Sequence, residues 1–155
     1  MGTIDLDQCD PDFVKELAGE PGGGNISACF TCRTCVASCP ISAINREFNP
    51  ARIIRMVLYG LKEEILTSDF IWLCSTCYAC QERCPQGVCI TEFMTLLKNM
   101  AIREGHAPAG IRAQLKLVKG EGRIYPIDDF DNKKRNKAGL PPLPTSCDAI
   151  KELFH

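Results

Sequence analysis

The chain has 155 residues, 24% of them charged, and a formal net charge of −1. That length fits one domain with tails, and that charge excludes a nucleic-acid binder working by electrostatic attraction. The longest apolar stretch, 70–80, falls far short of the ~20 residues that span a bilayer, and 11 cysteines point to metal rather than to disulfides in an intracellular chain.

Met1-Gly2-Thr3-Ile4-Asp5 has neither a basic n-region nor an apolar h-region. No secretory signal is expected, and the placement expected is cytoplasmic. Asp10 and Pro11 read as N-cap and first helical position. With Phe13, Val14 and Leu17 at helical spacing they predict a short helix over 11–18. Gly19 fits the C′ position and Pro21 prevents continuation. Gly22-Gly23-Gly24 reads as a flexible link, without the G-x-G-x-x-G or GK[ST] pattern of a phosphate loop. Residues 1–24 thus form an N-terminal segment.

Cys29, Cys32, Cys35 and Cys39, followed by Pro40, spell C-x2-C-x2-C-x3-C-P. Asn49-Pro50 then opens the clearest helix, with an apolar face of Ile53, Ile54, Val57 and Leu58 and an end at Gly60. Ile65 and Leu66 mark a second short helix. Thr67-Ser68-Asp69 is a new start signal, and Phe70-Ile71-Trp72-Leu73 leads into a second cysteine run. That apolar run is expected either to shield a metal site from water or to be ordinary core. Cys74, Cys77, Cys80 and Cys84, followed by Pro85, repeat the first motif, each cysteine 45 positions after its counterpart. Thr91 is expected to cap a helix carrying Phe93, Leu96, Leu97 and Met100, ended by Gly105. A further helix is expected at about 109–119.

Two such motifs in register are the ligand pattern of two [4Fe–4S] clusters, in which each fourth cysteine serves the other cluster. A tight C-x2-C-x2-C turn covers three corners of a cube while its amides face the sulfurs. The closing Pro stops the turn from running on as a helix. Cluster one is therefore assigned to Cys29, Cys32, Cys35 and Cys84, and cluster two to Cys74, Cys77, Cys80 and Cys39. The filled sites would add roughly −4 to the charge. A structural zinc site uses separated C-x2–4-C knuckles or Cys/His mixtures instead, and a disulfide framework needs an oxidising compartment. Cys9, Cys89 and Cys147 fall outside both motifs and are read as small buried hydrophobes. His106 follows a helix end, where a cation is favourable. No Ser-His-Asp arrangement, H-E-x-x-H or paired-carboxylate signature appears, so no substrate site is expected.

No strand alternation appears between the motifs, whereas small bacterial ferredoxins place β-hairpins around their clusters. The fold expected is mainly α, an α-helical ferredoxin core over 25–119 with an extended C-terminal arm over 120–155. In that arm Gly120, Gly122 and Pro126 break the helix, and Lys133, Lys134, Arg135 and Lys137 form a basic run. Pro141, Pro142 and Pro144 are extended, and Thr145 with Asp148 resembles a capping box before a last helix over 149–154. Leu140, Leu143, Ile150, Leu153 and Phe154 would lack a core there, so the arm is expected to bind a partner.

These features resemble the C-type iron–sulfur subunit of heterodisulfide reductase over most of the chain. The resemblance is carried by Ala28 with the first motif, Ala51-Arg52-Ile53-Ile54-Arg55, and Ser68 to Leu73 with the second motif. It continues through Glu82-Arg83-Cys84-Pro85-Gln86-Gly87-Val88 and Gly139-Leu140-Pro141. It implies an electron-relay subunit, without a catalytic site of its own, in a hetero-oligomeric oxidoreductase. Electrons would pass from a flavin-bearing iron–sulfur subunit to a cysteine-rich subunit that reduces the coenzyme M–coenzyme B disulfide in methanogenesis. The family's complex can couple this to ferredoxin reduction by flavin-based electron bifurcation, with a hydrogenase or formate dehydrogenase upstream. The chain has no Cys-Cys dipeptide and no dinucleotide fingerprint, so it is neither of the other two subunits. Related sulfur-metabolism complexes use similar subunits, and the motifs do not separate the two. The other readings weighed are a freestanding two-cluster ferredoxin, the iron–sulfur subunit of a glycerol-3-phosphate or succinate type dehydrogenase, and a zinc scaffold.

Overall fold

The computed structural model describes Asp7 and residues 9–154. Among these residues all regular structure is helical and no strand occurs. The chain divides into two compact units, Met1–Ala107 and Pro108–His155. The helix read over 109–119 falls in the second of these units.

In the first unit, helix α1 (Phe13–Ala18) starts two residues later than its sequence suggests. Asp10 uses its side chain for the Asp12 N–H (2.9 Å) and its carbonyl for the Phe13 N–H (3.3 Å), which makes a turn of the expected first turn of helix. Phe13 and Leu17, four apart on one face, are buried against α4 (Pro50–Leu58). The glycine segment is a tight reversal rather than a loose link. A Cβ on Gly23 would run into the Leu17 carbonyl, which only glycine avoids.

Helix α4 forms as its sequence dictates. The Asn49 side chain accepts the Arg52 N–H (3.0 Å), Pro50 occupies the first position, and Ile53, Ile54 and Val57 are buried. Gly60 ends it at φ +74° and accepts the Asp10 N–H (2.7 Å), with the Asp10 backbone where a side chain would stand. Helix α5 (Lys62–Leu66) buries Ile65 and Leu66 and packs on both α4 and the long α7 (Ile90–Arg103).

The repeat in sequence is a repeat in space. Short helices α2 (Thr34–Ala37) and α6 (Ala79–Glu82) occupy equivalent positions in the two motifs and pack on each other. A 3-10 turn precedes each cysteine loop, Ile26–Ala28 and Phe70–Leu73, and each buries one isoleucine, Ile26 and Ile71. The halves differ after the fourth cysteine, where only the first continues into a helix, α3 (Pro40–Ile44).

Thr91 does not cap α7. It lies inside the helix, buried, and the Gln81 side chain from α6 accepts its N–H (3.1 Å) while donating to Glu92 (3.1 Å). A neighbouring helix therefore caps this one.

In the second unit, α8 (Ala109–Glu121) runs through Gly120 and ends at Gly122, φ +66°. The C-terminal stretch expected to be extended contains a further helix, α9 (Asp129–Lys137), opened by a capping box between Asp128 and Asp131. Lys134, Arg135 and Lys137 fall in its last turn, where cations oppose the helix dipole. The prolines turn back along α9: Asn132 exchanges two hydrogen bonds with the Leu143 backbone (2.8 and 2.9 Å), and Arg135 donates to the Pro141 carbonyl (2.9 Å). Helix α10 (Asp148–Lys151) packs on α8 and has Cys147 at its N-cap position without a side-chain cap, so the expected Thr145–Asp148 box does not form.

Candidate metal centre

Each cysteine loop holds two non-glycine residues in the left-handed region. They are Thr31 (φ +63°) and Arg33 (φ +66°) in the first, and Thr76 (φ +52°) and Tyr78 (φ +63°) in the second. Such conformations cost about 1 kcal/mol or more each and persist where the surroundings impose them. The same two steps of both loops adopt them. Left-handed residues within a short loop are a feature of backbone concavities that hold anions.

The loops enclose two hollows. Cys29, Cys32, Cys35 and Cys84 line the first. Cys39, Cys74, Cys77 and Cys80 line the second. Each fourth cysteine thus stands with the other motif's three. The thiols ring a space rather than meeting at a point: among the described residues no three His, Cys, Asp or Glu side chains converge closely enough to hold a single ion. Four thiols around an inward-turned loop suit a cluster that offers four iron corners.

The electrostatics follow the same grouping at Cys80 and reach across it at Cys35. Burial pushes the Cys35 thiol up to about 11, with the charges of Cys29, Cys80 and Cys32 adding to it. Burial likewise raises Cys80; the Thr91 hydroxyl, 3.7 Å away, opposes this, and Cys74, Cys39 and Cys77 reinforce it. The Cys32 thiol is lowered by its hydrogen bond with the Thr34 side chain (3.3 Å). The fourth cysteines each accept a backbone amide, Cys39 from Ser42 and Cys84 from Val88, both at 3.4 Å. Thiolates crowded in this way are stable only when cations neutralise them, which cluster iron does.

Two residues around the second hollow carry no signal in the motif. Thr91 reads as a cap, and its contact with Cys80 depends on α6 packing on α7. Lys98, on the polar face of α7, donates to the Cys74 carbonyl (3.0 Å). The Phe70–Leu73 run contributes to neither lining. Phe70 instead carries the Arg52 guanidinium over its ring at 4.9 Å, and Trp72 packs against the apolar core. Cys9, Cys89 and Cys147 line neither hollow. Cys89 has a thiol raised chiefly by its hydrogen bond with Glu92.

Residues 25–88 match the family model of the 4Fe-4S dicluster domain. Over nearly the whole chain there is a similar protein in Methanocaldococcus jannaschii, the second C-type iron–sulfur subunit of its CoB–CoM heterodisulfide reductase. It is 37% identical over 161 residues, spanning 99% of this chain and 86% of that protein. The chain belongs to the family of C-type heterodisulfide reductase subunits. The C-type subunit of the ferredoxin:CoB–CoM heterodisulfide reductase of Methanosarcina mazei is 38% identical, over 92% of this chain and 88% of its own length. The C-type subunit of the H2:CoB–CoM heterodisulfide,ferredoxin reductase of Methanothermobacter thermautotrophicus is 35% identical, over 92% and 76%. As a member of this family, the chain carries two [4Fe–4S] clusters in its dicluster domain. Among its described residues no helix is long and apolar enough to cross a membrane.

Proposed function

We propose that this chain is the electron relay of a CoB–CoM heterodisulfide reductase complex. It stands between a flavin-bearing subunit and the cysteine-rich subunit that reduces the disulfide in methanogenesis. The observation that carries this is the pair of cysteine-lined hollows, in a chain whose sequence holds no catalytic constellation. When bound, the clusters supply two reversible one-electron sites. Cluster one takes Cys29, Cys32, Cys35 and Cys84, and cluster two takes Cys74, Cys77, Cys80 and Cys39. The linings of the hollows support this crossed assignment, as does the charge interaction between Cys80 and Cys39. The packing of α2 on α6 keeps the two sets adjacent, and the Cys35 thiol feels the charge of Cys80. Short separation is what electron transfer between the sites requires.

The protein's own contribution is to hold the thiols, turn amides toward them, and set potentials by hydrogen bonding. Thr91, the Ser42 and Val88 amides and the Thr34 hydroxyl are the groups so placed. The C-terminal residues, whose described members bury no apolar side chain, serve as the partner-binding segment. The complex is cytoplasmic, with a hydrogenase or formate dehydrogenase upstream.

The test is anaerobic purification of the tagged chain from its native cells, with identification of every accompanying subunit. The expected result is a flavoprotein and a Cys-Cys-rich protein in fixed ratio, with roughly eight iron and eight sulfide per copy of this chain. A chain recovered alone with both clusters intact is a diffusible ferredoxin, and the relay reading falls.

A further inference from the structure

Beside the first hollow runs an open groove of about 540 Å³. We propose that it docks a carboxylate-bearing segment of a partner protein, an inference that rests on the relay reading and locates one of its contacts. Groove and hollow share Thr31, Arg33 and Ala51, so a segment seated in the groove touches the loop that carries Cys29, Cys32 and Cys35.

The charge selects the occupant. Three arginines, Arg33, Arg52 and Arg55, face one acid, Glu64, along the groove. The groove is therefore cationic on a chain whose net charge is −1. Two of the arginines are fixed in place. Arg55 donates to the Tyr59 hydroxyl (2.8 Å) and lies over its ring at 5.6 Å, and Arg52 stacks on Phe70. Arg55 is exposed, and a held guanidinium matches a carboxylate in a two-pronged contact.

The floor selects a protein segment over a small anion. Ala51, Met56 and Leu61 form it, all buried in the fold yet facing the groove. A small anion would pair with the arginines and leave that floor wet; a peptide covers both. Tyr59 in the lining is 53% exposed, and Phe30, next to Thr31, is 59% exposed. Aromatic residues beside arginine are the anchors enriched at protein interfaces.

The experiment uses the anaerobically purified complex carrying Arg55→Lys. The substitution keeps the charge and places a primary amine in the groove, and a zero-length carbodiimide joins an amine only to a carboxylate in contact with it. The expected product is an amide between position 55 and an Asp or Glu of the flavin-bearing or cysteine-rich subunit, located by peptide mass spectrometry. A link only to Glu64, to residues 108–155, to a second copy of this chain, or no link at all, overturns the docking site. If both partner subunits co-purify in those cases, the relay reading stands without it. A link to a carboxylate of an unrelated protein keeps the docking site and overturns the relay reading. In parallel, Arg55→Glu should reduce the retained partner at least about fivefold at ~0.15 M salt, while clusters are kept. Lys15→Glu, on a side chain that lines neither groove nor hollow, should not. Equal retention by the two variants counts against the groove.

Discussion

At the scale of single residues, the eight motif cysteines stand out as candidates because three thiols at two-residue spacing, a fourth after three, and a closing proline suit one kind of site, and all eight line the two hollows. Under the proposed ligation, Cys84→Ser perturbs cluster one and leaves cluster two intact in cluster-resolved EPR. A variant with only cluster two altered reverses the assignment. Thr91 was not legible: a threonine near a helix start looks like a cap until Gln81 is seen capping in its place. With a cluster held there by Cys80, the Thr91 hydroxyl donating to that sulfur would favour the more negative, reduced state. Thr91→Val should therefore lower the potential of cluster two, on the order of 40 mV, the equivalent of a ~1 kcal/mol hydrogen bond for a one-electron couple. Potentiometric titration of both clusters reads this, and cluster one serves as the internal reference.

At the scale of elements, Lys62 joins three of them. At the start of α5, it meets Glu16 of α1 (2.9 Å) and Glu104 just past the end of α7 (3.3 Å), over the Phe13 ring at 5.8 Å. The hydrogen bond it donates to Glu16 is the main reason its pKa is raised. A group whose pKa rises on folding stabilises fully below its unfolded value, about 10.4, and loses that contribution as pH climbs through the folded value. Lys62→Ala should thus cost about 1 kcal/mol at neutral pH. The gap to wild type in anaerobic thermal unfolding should narrow as pH climbs past the ordinary lysine range through the raised folded value; a gap that persists in strong alkali would mean lost packing instead. Helices with an apolar face, α4 above all, could be read from periodicity and caps. Helix α9 could not. It has no buried residue, and its box closes with Asp131 where a Glu or Gln would be recognised. Tertiary hydrogen bonds to the proline stretch accompany a helix that hydrophobic pattern never announced.

At the scale of the molecule, every buried apolar side chain among the described residues lies between Phe13 and Ala107. That core is small, and its two halves are tied by cysteines facing across both hollows. Anaerobic removal of iron should therefore unfold the first unit cooperatively, seen as loss of near-ultraviolet circular dichroism together with helical signal. An apo-chain with native near-ultraviolet bands would show that the core stands without its clusters. The crossed linings of the two hollows bear on the 45-residue repeat as well. One repeat taken alone would present three thiols on its own loop and a fourth turned elsewhere, so it could complete no site by itself. Two copies could complete both, each lending the other one thiol. Such an arrangement fits two copies of one short unit, each dependent on the other for its fourth thiol.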